Sequence, residues 1–192
     1  MKPLSAALAS TALALGAVAA HAETVTYTVD PSHTFVYYES LHFATSTNRG
    51  RIPVKKGTVQ IDRAAKTGKA EIEIDVAGVQ RGVAALDKHL QGTDFFDIAK
   101  YPTARFVAER FAFDGDKVAS LDGQLTLRGK TLPVTLQAVR FNCYQSPMSK
   151  REVCGGDFTA TIKRSLWGVD FGLDYGFPDE TPLSVQIEAT RQ

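Results

Sequence analysis

LDGQLTLRGKTLPVTL (Leu121–Leu136) decides the fold. Its first arm places Leu121, Gly123, Leu125 and Leu127 at every second position, with Asp122, Gln124 and Thr126 between them. Arg128-Gly129-Lys130 reads as a tight hairpin, and a second arm resumes at Thr131. Side chains on a strand point to opposite faces in turn, so each arm has one dry face and one wet face. The same rhythm returns in Ala70–Val76 and in Leu183–Ala189. Strands of this kind must gather their dry faces around a common interior.

Working outward, strand candidates run at about 24–29, 34–42, 57–62, 70–76, 103–111, 118–128, 131–141, 157–163 and 183–190. Lys66-Thr67-Gly68-Lys69 and Asp114-Gly115-Asp116 read as further hairpins. Asp30-Pro31-Ser32 kinks a long first strand rather than ending it, which leaves eight strands. Even spacing and short turns predict an antiparallel sheet that curls or closes. No composition break, repeat or linker divides the chain, so one domain is expected. One segment departs from the alternation. Val83, Leu86 and Leu90 have helical spacing over Val83–Gln91, and Gly92 ends it. Asp94-Phe95-Phe96-Asp97-Ile98 follows. This helix either plugs one end of the sheet or forms a lid with Phe95 and Phe96 against a ligand.

Residues 1–22 read as a signal peptide: Lys2, an apolar run from Ala6 to Ala20, and a small-x-small site at Ala20-His21-Ala22. The run is too short to span a bilayer comfortably, so stable membrane insertion is not expected. Cleavage after Ala22 leaves residues 23–192 as the mature domain. Removing Lys2 from the 22 basic residues leaves 21, against 21 acidic ones. A balanced charge gives no reason to expect nucleic acid or an anionic membrane as the main partner. Cys143 and Cys154 flank a loop between two strand candidates, and an exported protein meets an oxidising compartment. A disulfide is expected. Their spacing matches no zinc or C-x-x-C pattern, and no metal is expected.

Several blocks, in order, resemble the YceI-like proteins, the lipid/polyisoprenoid-binding family. They are Tyr27-Thr28-Val29-Asp30-Pro31-Ser32-His33-Thr34, Asp87-Lys88-His89-Leu90, Asp94-Phe95-Phe96-Asp97 and Lys100-Tyr101-Pro102-Thr103. Leu121–Gly129 with Pro133-Val134-Thr135-Leu136, and Lys163-Arg164-Ser165-Leu166-Trp167-Gly168, complete the set. The resemblance implies an all-β, lipocalin-like eight-stranded antiparallel barrel, with the short helix capping one end. It implies a periplasmic bacterial protein that holds an isoprenoid-type amphiphile in a long apolar tunnel, with neither catalysis nor a metal. The chain departs from the family pattern in three places. Arg49 and Arg51 flank Gly50 where an apolar residue usually follows the glycine. Gly78–Ala85 is more apolar than usual. The Cys143–Cys154 loop is longer than a minimal hairpin.

An eight-stranded barrel is just wide enough to be filled by side chains or to hold one elongated ligand. Small inward residues, Ala70, Ala108, Gly123 and Ala160, would leave room unless large neighbours fill the gaps. The candidate ligand contacts are Val36, Tyr38, His42, Ile72, Ile74, Leu86, Leu90, Phe95, Phe96, Phe106, Leu125, Leu127, Val134, Leu136, Phe158 and Ile162. Each buried CH2 contributes about 0.8 kcal/mol, so a long tail needs few polar contacts. Arg49 and Arg51 are candidates for an anionic or quinone head, against the plainer reading of two solvated loop arginines. His42 shares the parity of Val36 and Tyr38, while Asp30 and His33 are placed to bond each other. No nucleophile stands in a recognisable frame with these histidines, so no catalytic residue is assigned. Trp167 is expected to pack at a barrel end. The expected function is a carrier or store for a polyprenyl phosphate or long-tailed quinone. Its rivals are a scavenger of foreign lipophiles such as apolar drugs, and a lipid-modifying enzyme. No cofactor is expected beyond such a bound lipid, and the sequence leaves a homodimer open.

Overall fold

A computed structural model describes residues 23–192; the leader reading falls outside the described residues. Nine strands follow in order: β1 (Val25–Val29), β2 (Phe35–His42), β3 (Ser46–Asp62), β4 (Thr67–Asp75), β5 (Thr103–Asp114), β6 (Lys117–Leu127), β7 (Lys130–Gln145), β8 (Glu152–Lys163) and β9 (Glu180–Arg191). One helix, α1 (Ala84–Gln91), lies between β4 and β5. All pairings are antiparallel. Both β1 and β2 lie between β3 and β9, with Tyr27 opposite Val59 and Arg191, and Val36 opposite Ile52 and Val185. They are two halves of one strand, so eight strand positions close the barrel. The kink is a 3₁₀ turn at Pro31–His33, where the Ser32 amide donates to the Asp30 carboxylate at 2.8 Å. Proline has no amide to give the ladder, and the Asp30 carboxylate fixes the turn by accepting from Ser32.

The two-residue rhythm holds only between bulges. In β5, Ala104, Phe106 and Ala108 are buried, and then Glu109 and Arg110 both face out where the register shifts. Phe111 and Phe113 return inward on the opposite parity, packed against the core. β7 shifts likewise between Ala138 and Arg140, and β3 between Val54 and Lys56. Each bulge bends a long strand around the barrel and re-aims every later side chain.

Two turns show the local chemistry. Leu127 pairs with Lys130, leaving Arg128 (φ 48°) and Gly129 (φ 74°) as a two-residue loop. Positive φ at both positions matches the right-handed twist of the flanking strands. The hairpin expected at Lys66–Lys69 instead turns at Arg63–Lys66, because the Asp62 carboxylate accepts from the Ala65 amide at 2.8 Å and starts the turn early. The third strand begins at Ser46, far ahead of the expected residue 57. Arg49 and Arg51 are therefore strand residues rather than loop residues.

The two barrel ends differ. One carries only short connections, between β3 and β4, β5 and β6, and β7 and β8. At the other lie α1 with residues 76–102, and a double 3₁₀ segment over residues 164–179. α1 starts one residue later than its apolar spacing, ends at Gly92, and has no buried residue. It covers the end rather than filling the barrel.

Candidate functional site

The interior walls off a cavity of about 290 Å³. An engineered core cavity of roughly 150 Å³ already stays dry and binds benzene. The wall is drawn from every strand position of the barrel and is overwhelmingly apolar. Ile52, Val54, Ile72, Ile74, Phe106, Leu125, Leu136 and Phe158 are all buried residues that line it. No Asp or Glu is among the lining residues. Only Arg49 and Phe171 of the wall are exposed, and both lie at the helix-bearing end. The cavity reaches the surface there.

Of the ligand contacts expected from sequence, all but His42 and Leu86 line this cavity. His42 is the last residue of β2, beyond the barrel wall, and its exposed ring lies edge-on to Phe43 and Phe177. Leu86 points away on α1 and is 39% exposed, while Leu90, one turn later, faces the cavity. The room does not come from three of the four small residues expected to provide it. Ala108 and Ala160 do not line the cavity, and Gly123 lies beneath Phe106, whose Cζ would be 2.4 Å from an added Cβ. Ala70 is the one small residue of that set on the wall, where Ala104, Gly155 and Ala189 join it.

The arginines also rearrange. Arg49 borders the cavity, but its side chain is 68% exposed and its Nε donates to Glu39 at 2.8 Å. Arg51 is not on the wall; its guanidinium lies 4.8 Å from the Phe35 ring. Both flank inward-facing Gly50, and alternate residues share a face, so both point outward. Sequence reasoning missed Arg81 and Arg164, which do line the cavity. Arg164 is committed to backbone: its guanidinium donates to the carbonyls of Pro178 (3.1 Å), Val169 (2.8 Å) and Phe171 (2.9 Å). Ser165 donates its amide (2.8 Å) and its hydroxyl (2.7 Å) to Asp179. The Lys163–Gly168 block is thus a staple for the mouth segment. Trp167 is buried and donates to the Leu125 carbonyl at 3.1 Å, as barrel-end packing requires. Arg128 reaches from its hairpin to the carbonyls of Phe95 and Gly168, tying both mouth segments together. Phe171 and Phe177 also escaped the sequence reading, because irregular loops carry no parity to read.

The opposite end is fastened by charge and a covalent bond. Cys143 and Cys154 are directly opposed in β7 and β8 and form a disulfide. Arg63 Nη2 lies 2.9 and 3.1 Å from the two sulfurs and 2.9 Å from Glu152 Oε1. Tyr27 donates to Glu152 Oε2 at 2.7 Å. Burial alone would raise the Glu152 carboxyl, but the hydrogen bonds from Tyr27 and Arg63 outweigh it and the pKa is lowered. Burial and the bond to Glu152 push Tyr27 up to about 12. Cys143, Cys154 and Glu152 offer ligand atoms within 4.8 Å of one another. The sulfurs are bonded to each other and face a guanidinium, which is no setting for a cation.

Asp30, Ser32 and His33 do cluster, but not as a nucleophile with its base. Ser32 Oγ donates to Asp30 at 2.6 Å, and the same His33 Nδ1 meets Asp30 at 2.7 Å and Ser32 at 3.1 Å. The group is exposed and stands off the cavity wall; it caps the kink. Among the described residues no helix is long and apolar enough to cross a membrane, which says nothing of a β-barrel.

Known proteins share this architecture. The YceI-like domain matches residues 27–189. A UPF0312 protein of Pseudomonas savastanoi pv. phaseolicola is 34% identical over 182 residues, 92% of each chain. One from Pseudomonas putida is 32% identical over 189 residues, 94% of this chain and 96% of its own. The crystal structure of Burkholderia cenocepacia BcnA aligns with a TM-score of 0.63 at 27% identity, over 84% of this chain and 99% of its own. A polyisoprenoid binding domain from Saccharophagus degradans aligns at 0.58 and 13% identity, over 88% and 99%, a likeness of fold. With the barrel, its capped mouth and nearly the whole length from Tyr27 to Ala189 in agreement, the chain belongs to the YceI-like family.

Proposed function

We propose that the protein binds an isoprenoid-type amphiphile inside the barrel. The observation that carries this reading is the wall itself: a deep cavity, open at one end, lined almost wholly by aliphatic and aromatic side chains and by no carboxylate. Burial of a hydrocarbon chain contributes about 0.8 kcal/mol per CH2, so such a wall holds a tail tightly while reading it poorly. The polyisoprenoid binding domain of similar fold supports the same ligand class. The finer reading is a periplasmic carrier or store for a polyprenyl phosphate or long-tailed quinone, exported by a leader cleaved after Ala22. Its role is binding rather than catalysis: the only titratable side chains on the wall are arginines, two tyrosines and a disulfide-bonded cysteine.

Organic extraction of protein purified from the periplasm without detergent, followed by mass spectrometry, tests the reading. A stoichiometric isoprenoid in the extract is the expected result. An empty extract from folded protein, or a cargo without isoprene units, overturns it.

A further inference from the structure

A buried donor with nothing to bond marks the part of the cargo that an apolar wall cannot read. Tyr38 projects from β2 into the cavity, and its hydroxyl is buried without a hydrogen-bond partner. Among the described residues it is the only such side-chain atom. An orphaned buried hydroxyl is costly unless something else occupies it. Its ring lies over Gly50, directly opposite in β3, where an added Cβ would come within 2.2 Å of the hydroxyl. Burial pushes the phenol up to about 12, so it is a neutral donor at ordinary pH.

The neighbouring groups are also donors. Ser40 and Asn48 face each other one inward step towards the mouth, and both line the cavity. Arg81 Nη2 donates to Asn48 Oδ1 at 2.7 Å, a bond that leaves the Asn48 amide N–H groups unused. The Arg81 backbone amide is fixed by the Asp87 carboxylate of α1 at 2.7 Å. Arg81 has no ion-pair partner among the described residues. Arg49 is taken by Glu39 and Arg164 by three carbonyls. The free donors therefore converge in one corner at the open end.

We propose that Tyr38, Asn48 and Arg81 form a head-group subsite for acceptor oxygens of the cargo. The phosphate of a polyprenyl monophosphate and the ring carbonyl of a quinone share that chemistry. The subsite rests on the isoprenoid reading above and adds which end of the cargo is recognised, and by what. Tyr38 donates to either head, while Arg81 adds a charge-assisted bond that favours the anion.

Delipidated protein titrated with a polyprenyl monophosphate, a long-chain ubiquinone and the hydrocarbon squalene tests it. Tyr38→Phe should weaken both headed ligands about tenfold and leave squalene unchanged. A salt-sensitive phosphate preference that Arg81→Gln removes identifies the phosphate as the source. A quinone preference that survives Arg81→Gln but not Tyr38→Phe identifies the carbonyl. Headed ligands binding both variants as they bind the wild type overturn the subsite. So does an equal loss of squalene, which reveals a damaged barrel. Wild-type protein that holds none of the three, squalene included, sinks the isoprenoid reading itself and the subsite with it.

Discussion

The two ends of this barrel solve different problems. The closed end joins strands by short turns and fastens them with the Cys143–Cys154 disulfide and the Arg63–Glu152–Tyr27 network. The open end spends two long irregular segments on a mouth. There aromatic side chains meet edge to face, as His89, Phe95 and Phe171 do, and Arg128 ties carbonyls together. The difference teaches that stability and access have been separated along the barrel axis. The covalent bond is confined to the closed end, while the open end is held by arginine–carbonyl bonds, the Ser165–Asp179 pair and aromatic packing.

The largest expected effect lies at the closed end. The double variant Cys143→Ala, Cys154→Ala should lose about 3 kcal/mol, read from the urea midpoint, with ligand retention little changed. Retention collapsing along with stability would break the separation. Arg63→Met comes next, at about 2 kcal/mol, because it leaves the Glu152 carboxylate, 16% exposed, without its cation. Urea denaturation against wild type checks it, and an unchanged midpoint would mean that the network is ornamental.

A pH series sharpens the same contrast. The Glu152 carboxyl is lowered in the fold below its ordinary 4.5. Its contribution is therefore complete above that value and is lost as pH falls through the lower folded value. Thermal melts between about pH 6 and pH 3 should show an acid loss that Glu152→Gln reduces. On the alkaline side the sign reverses. Tyr27 and Tyr38, both raised from 10.0 to about 12, contribute below their ordinary pKa and lose that contribution as pH climbs through 12. Since one tyrosine stands at each end, the alkaline limb does not distinguish them.

Effects at the open end should be smaller in stability and larger in binding. Gly50→Ala places a Cβ against Tyr38 and should cost about 1 kcal/mol while displacing the ring. Isothermal titration should then show a headed ligand losing affinity relative to squalene. Smallest of all, Leu86→Ser on the exposed face of α1 should stay within about 0.5 kcal/mol and leave retention unchanged. A large loss of retention would mean that α1 rotates inward when the cargo enters.

Much of the barrel was legible in the sequence. The Leu121–Leu136 hairpin appears in register around its two-residue loop, because period-two burial and turn chemistry are both local. The Pro31 kink that turns nine strands into eight positions was legible for the same reason. Most contacts expected from inward parity lie on the cavity wall, though they make up only part of it. What failed did so where locality ends. The bulges at Ala108/Arg110 and Ala138/Arg140 invert parity, and whether a bulge forms depends on the partner strand. The polar stretch Ser46–Lys56 has little alternation of its own and becomes strand because β2 and β4 pair with it on either side.

By itself, the sequence determined that alternating strands must enclose a common apolar interior, that a helix interrupts them once, and that two cysteines stand beside the same loop. Periodicity, turn residues and spacing are properties of neighbours along the chain. Only the tertiary structure decided that the interior stays open, that Arg81 rather than Arg51 faces it, and that Tyr38 is left with an unmatched hydroxyl over Gly50. Those outcomes depend on which side chains meet across strands far apart in sequence, and on a circumference that no single strand contains.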